Sequence, residues 1–240
     1  MAYGLGELLQ SMMNLHEALL IQMNHSDDNP YVAIDYRPTA RNSSQEQRYV
    51  IDMPDGSRGA IVPTANFDST PFVRPMEYLL HSMGTLSVAM AQNIVRFEDP
   101  HINGGLPRFL AGSDGHGFGA VSKLAGSLLD RIQAETTLTR SSNLVVAGGQ
   151  LEDVSNAGPN TARKMREALK LMYQLAAMQT LYAAQAVDLR RRDASQPLAL
   201  GAVTQKLHAD FRARSGMMIQ DSETRTALAE AERLLKGWSP

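Results

Sequence analysis

Phe72, Met76, Leu79, Met83, Leu86, Met90, Ile94 and Phe97 follow one another at three- and four-residue steps without a break. That spacing puts all of them on one stripe of an α-helix. At 1.5 Å per residue the helix is about 39 Å long. A seam of that length has to be covered by partners equally long, which steers the chain toward an elongated all-α bundle of long helices.

Other segments supply candidates. Leu5, Leu8, Met12, Leu15, Leu19 and Met23 form one stripe over 5–23, and Asp27-Asp28-Asn29-Pro30 ends that helix because the residue before proline leaves the α region. Further helices are expected over 118–139 and 159–189. Pro159 suits a first helical position, and Met165, Leu169, Met172, Ala176 and Ala183 line one side. Residues 199–240 read as a small helical tail with helices near 202–212 and 223–236, the second N-capped by Asp221-Ser222. Within a non-helical stretch from Tyr31 to Pro71, Arg48–Asp52 and Gly59–Ile61–Val62 flank Met53-Pro54-Asp55-Gly56, a small β-hairpin insertion near 48–62. The segments 99–112 and 141–158 read as loops. The organisation expected is a single helical domain over 1–240. One copy of three long helices leaves much of each seam open, so association with copies of itself or with a partner is expected.

Composition narrows the chemistry. The 240 residues contain no cysteine, which excludes disulfides, thiolate zinc sites and cysteine nucleophiles. A net charge of −2 gives no footprint for nucleic acid or an anionic membrane, and Arg190-Arg191-Arg192 is too short a cluster to supply one. There is no uncharged apolar run of the roughly 18 residues that a membrane helix needs, so a cytoplasmic location is the default. Six histidines include no helical i,i+4 pair, and Glu98-Asp99-His101 reads as a solvated helix end, so no metal site is expected. Gly112–Gly117 is glycine-rich but lacks the Gly-Lys-Ser/Thr of a phosphate loop, and no Gly-x-Ser-x-Gly elbow occurs.

Five words in order carry a resemblance: Ser26-Asp27-Asp28-Asn29-Pro30, Asn66-Phe67, Gly105-Leu106-Pro107, Glu152-Asp153-Val154-Ser155 and Gln185-Ala186-Val187-Asp188-Leu189-Arg190. With these the chain resembles the C-terminal half of the histidine/phenylalanine/tyrosine ammonia-lyase and aminomutase family. The resemblance implies a helical core shared by a tetramer and active sites at subunit junctions. It also implies a 4-methylidene-imidazol-5-one electrophile made from an internal Ala-Ser-Gly. No Ala-Ser-Gly occurs in this sequence. The resemblance therefore implies a heteromer. Its larger partner subunit resembles the family's N-terminal half and carries the electrophile, the tyrosine base and the carboxylate-binding arginine; this chain completes the site and is inactive alone.

On the same resemblance Asn66 and Phe67 face cofactor and substrate, with Phe67 an aromatic wall for a flat amino acid side chain. The surrounding word, Thr64-Ala65-Asn66-Phe67-Asp68-Ser69, replaces the family's Gly-Gly-Asn-Phe-x-Gly, which changes how closely backbone approaches the cofactor. Glu152 falls where histidine-specific members carry glutamate and is the catalytic candidate, an ion-pair partner or proton acceptor for a substrate ammonium. The alternative for Glu152 is an acidic cap on the following helix. Asp188 and Arg190 read as structural at a helix end. The words leave lyase and aminomutase both open, and a non-catalytic scaffold or degenerate homo-oligomer of the same fold is the alternative to a catalytic subunit.

Overall fold

The computed structural model describes residues 2–25, 29–41, 43–64, 68–112, 115–139, 144–147, 152–154, 157–193 and 198–239, with backbone alone at 144–147 and 152–154. Among these, helices α1 (Ala2–Met23), α2 (Thr70–Phe97), α3 (Ser122–Thr136), α4 (Gly158–Asp193), α5 (Ala202–Arg212) and α6 (Arg225–Gly237) dominate. The strands are β1 (Tyr31–Ile34), β2 (Val50–Asp52), β3 (Arg58–Val62), β4 (Leu144–Ala147) and β5 (Glu152–Val154). No helix among the described residues is long and apolar enough to cross a membrane. The contacts group into two units. One holds the residues up to Leu9, Leu79–Leu138 and everything from Ala162 on; the other holds Gln10–Tyr78 and Thr139–Thr161.

The core of the first unit is the expected seam, with Leu79, Met83, Leu86, Met90 and Ile94 of α2 all buried. Leu128 and Ile132 of α3, Leu171, Leu175, Met178, Tyr182 and Leu189 of α4, and Phe211 and Leu234 from the tail complete it. Each such side chain contributes about 1.5–3 kcal/mol when taken from water. The rings of Phe118 and Tyr182 pack at 4.7 Å with a 34° tilt. Gly84 is required where α2 meets α3: a Cβ there would lie 2.5 Å from Thr136 Oγ1. The same meeting point is tied by Gln133 Nε2, which donates to Gly84 O at 2.8 Å and to Ser87 Oγ at 3.2 Å.

In the second unit β1, β3 and β2 make an antiparallel sheet in that order. The hairpin forms as expected, Val50 pairing with Ala60 and Asp52 with Arg58. Its turn is closed by Met53 N–H donating to Ser57 O at 2.8 Å, with Asp55 accepting from Ser57 N and Oγ at 2.9 and 2.6 Å. Gly56 takes φ +82°. The third strand was not expected: Tyr31 pairs with Val62 and Ile34 with Gly59.

Four readings need correction. Of the α1 stripe only Leu15 is buried, while Leu5, Met12, Leu19 and Met23 are exposed. Leu8 still packs against the core of the first unit, so the stripe is covered only in part. On α4 the buried face is Ala168, Leu171, Leu175, Met178 and Tyr182, whereas Leu169 of the expected stripe is 52% exposed. The segment 141–158 is no plain loop, because β4 and β5 pair there. Finally α6 starts at Arg225 with Thr224 before it, and no side chain caps it; Asp221 is engaged elsewhere.

Candidate active-site segments

Asn66 and Phe67 lie outside the described residues, and both ends of their segment are pinned within the second unit. On one side Asn29, from the Asp-Asn-Pro word, accepts from Thr64 N at 3.1 Å through Oδ1. On the other Asp68 Oδ1 accepts from Thr70 N at 3.0 Å and from Thr70 Oγ1 at 2.7 Å, closing the turn into α2. Two short polar side chains thus fix where this stretch leaves the sheet and where it enters the helix.

Of Glu152 the structure describes the backbone. It opens β5 and pairs with Ala147, with a register shift between Leu144 and Ala147. The helix that follows, α4, begins at Gly158 and has no acidic residue in its first turn. The two ends of the segment that carries β4 and β5 are closed locally. Thr161 Oγ1 donates to Thr139 Oγ1 at 3.3 Å, and in the first unit the buried Lys164 ammonium donates to Thr137 O.

The remaining words act as bolts around the turns that follow α2. Asn103 donates to Phe97 O at 2.8 Å and accepts from Leu106 N at 2.8 Å, and Arg190 donates to Asn103 O at 2.5 Å. Gly104, at φ +74°, leaves room for that guanidinium. Gln185, fully buried, donates to Leu110 O at 3.2 Å. Asp188 accepts from Arg212 Nε at 2.6 Å and lies 2.8 Å from His208 Nε2, binding α5 to the end of α4. Tyr182 Oη donates to Glu98 Oε1 at 2.9 Å, and burial pushes the Glu98 carboxyl up while that bond and one from Ser122 oppose the shift. Burial, reinforced by the neighbouring Glu98, raises the Tyr182 phenol strongly, so it stays a neutral donor. Asp188 and Arg190 are structural in these contacts, as their place at a helix end suggested. No cluster of three or more histidine, cysteine, aspartate or glutamate side chains could hold a metal ion among the described residues. A groove of about 710 Å³ beside α6, floored by Leu128 and Met178 and edged by Glu223 and Arg225, contains none of the expected site residues.

A family model described as aromatic amino acid lyase matches residues 1–213. The chain belongs to that family. A histidine ammonia-lyase from Koribacter versatilis is 27% identical over 218 residues, 90% of this chain and 39% of the relative. A MIO-dependent tyrosine 2,3-aminomutase from Streptomyces globisporus is 31% identical over 139 residues, 56% of this chain and 25% of its own. The crystal structure of tyrosine aminomutase from Streptomyces globisporus aligns with a TM-score of 0.77 over 97% of this chain and 39% of that one, at 22% identity. That likeness shows the fold, the one inferred from the α2 seam and the five words. The chain spans two fifths or less of the length of these aromatic amino acid lyase relatives.

Proposed function

We propose that this chain is the smaller subunit of a heteromeric, methylidene-imidazolone-dependent aromatic amino acid ammonia-lyase or 2,3-aminomutase. One observation carries the reading. The family match runs over 1–213, yet the sequence holds no Ala-Ser-Gly from which the electrophile is made. The residues present do not fit formation of that group, which on this reading is carried by a partner chain. Bound there, it supplies an electrophile for the substrate amine. This chain contributes Phe67 as an aromatic wall, Asn66 beside it, and Glu152 as a carboxylate for the substrate ammonium. Copies of this chain and of the larger subunit meet through the core helices.

The test is purification of the native assembly through a tag on this chain. The expected result is a 26.2 kDa chain held with a second one that contains Ala-Ser-Gly, and turnover of an aromatic amino acid by the complex only. Deamination by the isolated 240 residues would sink the proposal. A native polypeptide of greater mass, with its own Ala-Ser-Gly, would remove the heteromer and leave the family.

In the complex Phe67→Ala should lower kcat/KM by about tenfold to several hundredfold, roughly 1.4–3.5 kcal/mol of transition-state stabilisation. Glu152→Gln, which exchanges a charge for a neutral group of nearly the same shape, should shift substrate preference more than assembly. The departures in Thr64-Ala65-Asn66-Phe67-Asp68-Ser69 favour a second reading, a non-catalytic scaffold. On that reading both variants keep wild-type kinetics, and losses appear only with seam changes such as Leu79→Glu.

A further inference from the structure

The turns between α2 and α3 contain two adjacent non-glycine residues with left-handed backbone, Phe109 at φ +58° and Leu110 at φ +53°. Such backbone is strained for residues with a side chain and persists only where its surroundings hold it. Neighbouring backbone closes part of the turn, Leu110 N donating to Pro107 O at 2.9 Å and Ala111 N to Arg108 O at 3.3 Å; further holding groups come from far along the chain. Leu110 O accepts from Gln185, and the same Gln185 amide pairs with Met218 on both its edges. Nε2 donates to Met218 O at 2.7 Å, and Oε1 accepts from Met218 N at 3.1 Å.

Three residues further, Asp221 Oδ2 accepts from His116 N at 2.7 Å and Oδ1 from Gly117 N at 2.9 Å. Those two bonds hold its carboxyl below the usual range. Gly117 N–H and His116 N–H thus form a small anion-binding nest that a side chain of the same chain fills. Shape agrees with the bonding. A Cβ on Gly112 would lie 2.5 Å from Met218 O, and one on Gly115 would collide with the Asp221 carboxylate. Gly112 and Gly115 therefore answer to the tail that crosses them. The tail segment is itself anchored at its start, where Arg212 Nη1 donates to Gly216 O at 2.9 Å.

We propose that residues 215–221 are a latch: crossing the Gly112 and Gly115–Gly117 backbone and sharing the Gln185 amide with Leu110 O, they fix the 109–112 and 115–117 backbone, with Asp221 as the positioning residue. The latch lies beyond residue 213, where the family match ends. It stands on this geometry alone, whatever the catalytic reading. Its two holding points follow the family word Gly105-Leu106-Pro107 in the sequence.

Amide hydrogen exchange on the full chain tests it. In the wild type His116 and Gly117 N–H should exchange slowly. Asp221→Ala should speed both by about tenfold or more, with Ile132 and Leu175 amides in the core unchanged. A second measurement guards against a variant that fails to fold. Gly115→Ala should lower Tm in the wild type and have little further effect in the Asp221→Ala background, because the atom it strikes is gone. Asp221→Asn, which keeps one acceptor oxygen, should release the amides only in part. Unchanged exchange in Asp221→Ala, or additive losses of the two substitutions, would overturn the latch.

Discussion

Glu98 sits at the end of α2 with its carboxylate spent on a buried phenol, and its titration has a definite consequence. Its folded pKa is raised above the ordinary 4.5, first by burial, so the folded state holds the proton more tightly than the unfolded chain. Stability therefore falls as pH rises from that value through the raised one. Glu98→Gln keeps an acceptor for Tyr182 and removes the titration. The Tm difference between variant and wild type should grow in the variant's favour from pH 4 to pH 7, and parallel curves would contradict this account. Tyr182→Phe works the other way, leaving the Glu98 carboxyl without the hydrogen bond the phenol donates; it should cost about 1–3 kcal/mol in denaturant unfolding. Residue roles of this kind were only partly legible in the sequence. Gln185 and Arg190 were visible as part of a word, but their partners are backbone carbonyls 75 and 87 residues away. Asp221 read as a helix cap because local rules favour aspartate before a helix. Two amides about a hundred residues upstream took the carboxylate instead.

Among the elements, α2 was the easiest to read, since its large side chains recur on one buried stripe, although Tyr78, Val88 and Val95 are exposed. α4 was hard for the opposite reason. Alanine, methionine and leucine occur nearly all round its 36 residues, so periodicity shows a helix without choosing its buried face. The strands β4 and β5 are four and three residues long and sit in glycine-flanked sequence, too short for alternation to register. The crossing of α2 on α3 gives the sharpest test at this scale. Gly84→Ala gains about 1 kcal/mol of helix propensity. Against that, Thr136 Oγ1 at 2.5 Å and Thr136 Cβ at 3.0 Å must move in a buried contact, and overpacking of this kind costs about 1–3 kcal/mol. The clash should win, and Gly84→Ala should lower Tm. Adding Thr136→Ala should recover part of the loss, since it removes the nearer atom and leaves the Cβ. A Gly84→Ala protein more stable than wild type would show that the helices separate freely there.

For the whole molecule the unspent apolar surface is the main fact. Leu9, Met12, Met13 and Ile21 of α1 are each more than half exposed, as is Leu169 of α4. Exposed apolar patches of this extent mark interaction surfaces. We expect the purified chain to be oligomeric in light scattering, and Met12→Glu with Leu9→Glu to shift it toward monomer without lowering helical content. A wild-type chain that stays monomeric at high concentration would refute the expectation. The expectation of a partner rests on the length of the seams; which helix stays open was not legible in the sequence, because burial depends on what else the chain can reach.

The latch also sets an order in time. Asp221 follows His116 by 105 residues. A ribosome adding roughly 5–20 residues per second takes about 5–20 s to travel that distance. Until then the amides of His116 and Gly117 have only water and nascent chain to bond, while α2, α3 and much of α4 already exist. The turn in the middle of the sequence is thus among the last parts of the protein to be made firm.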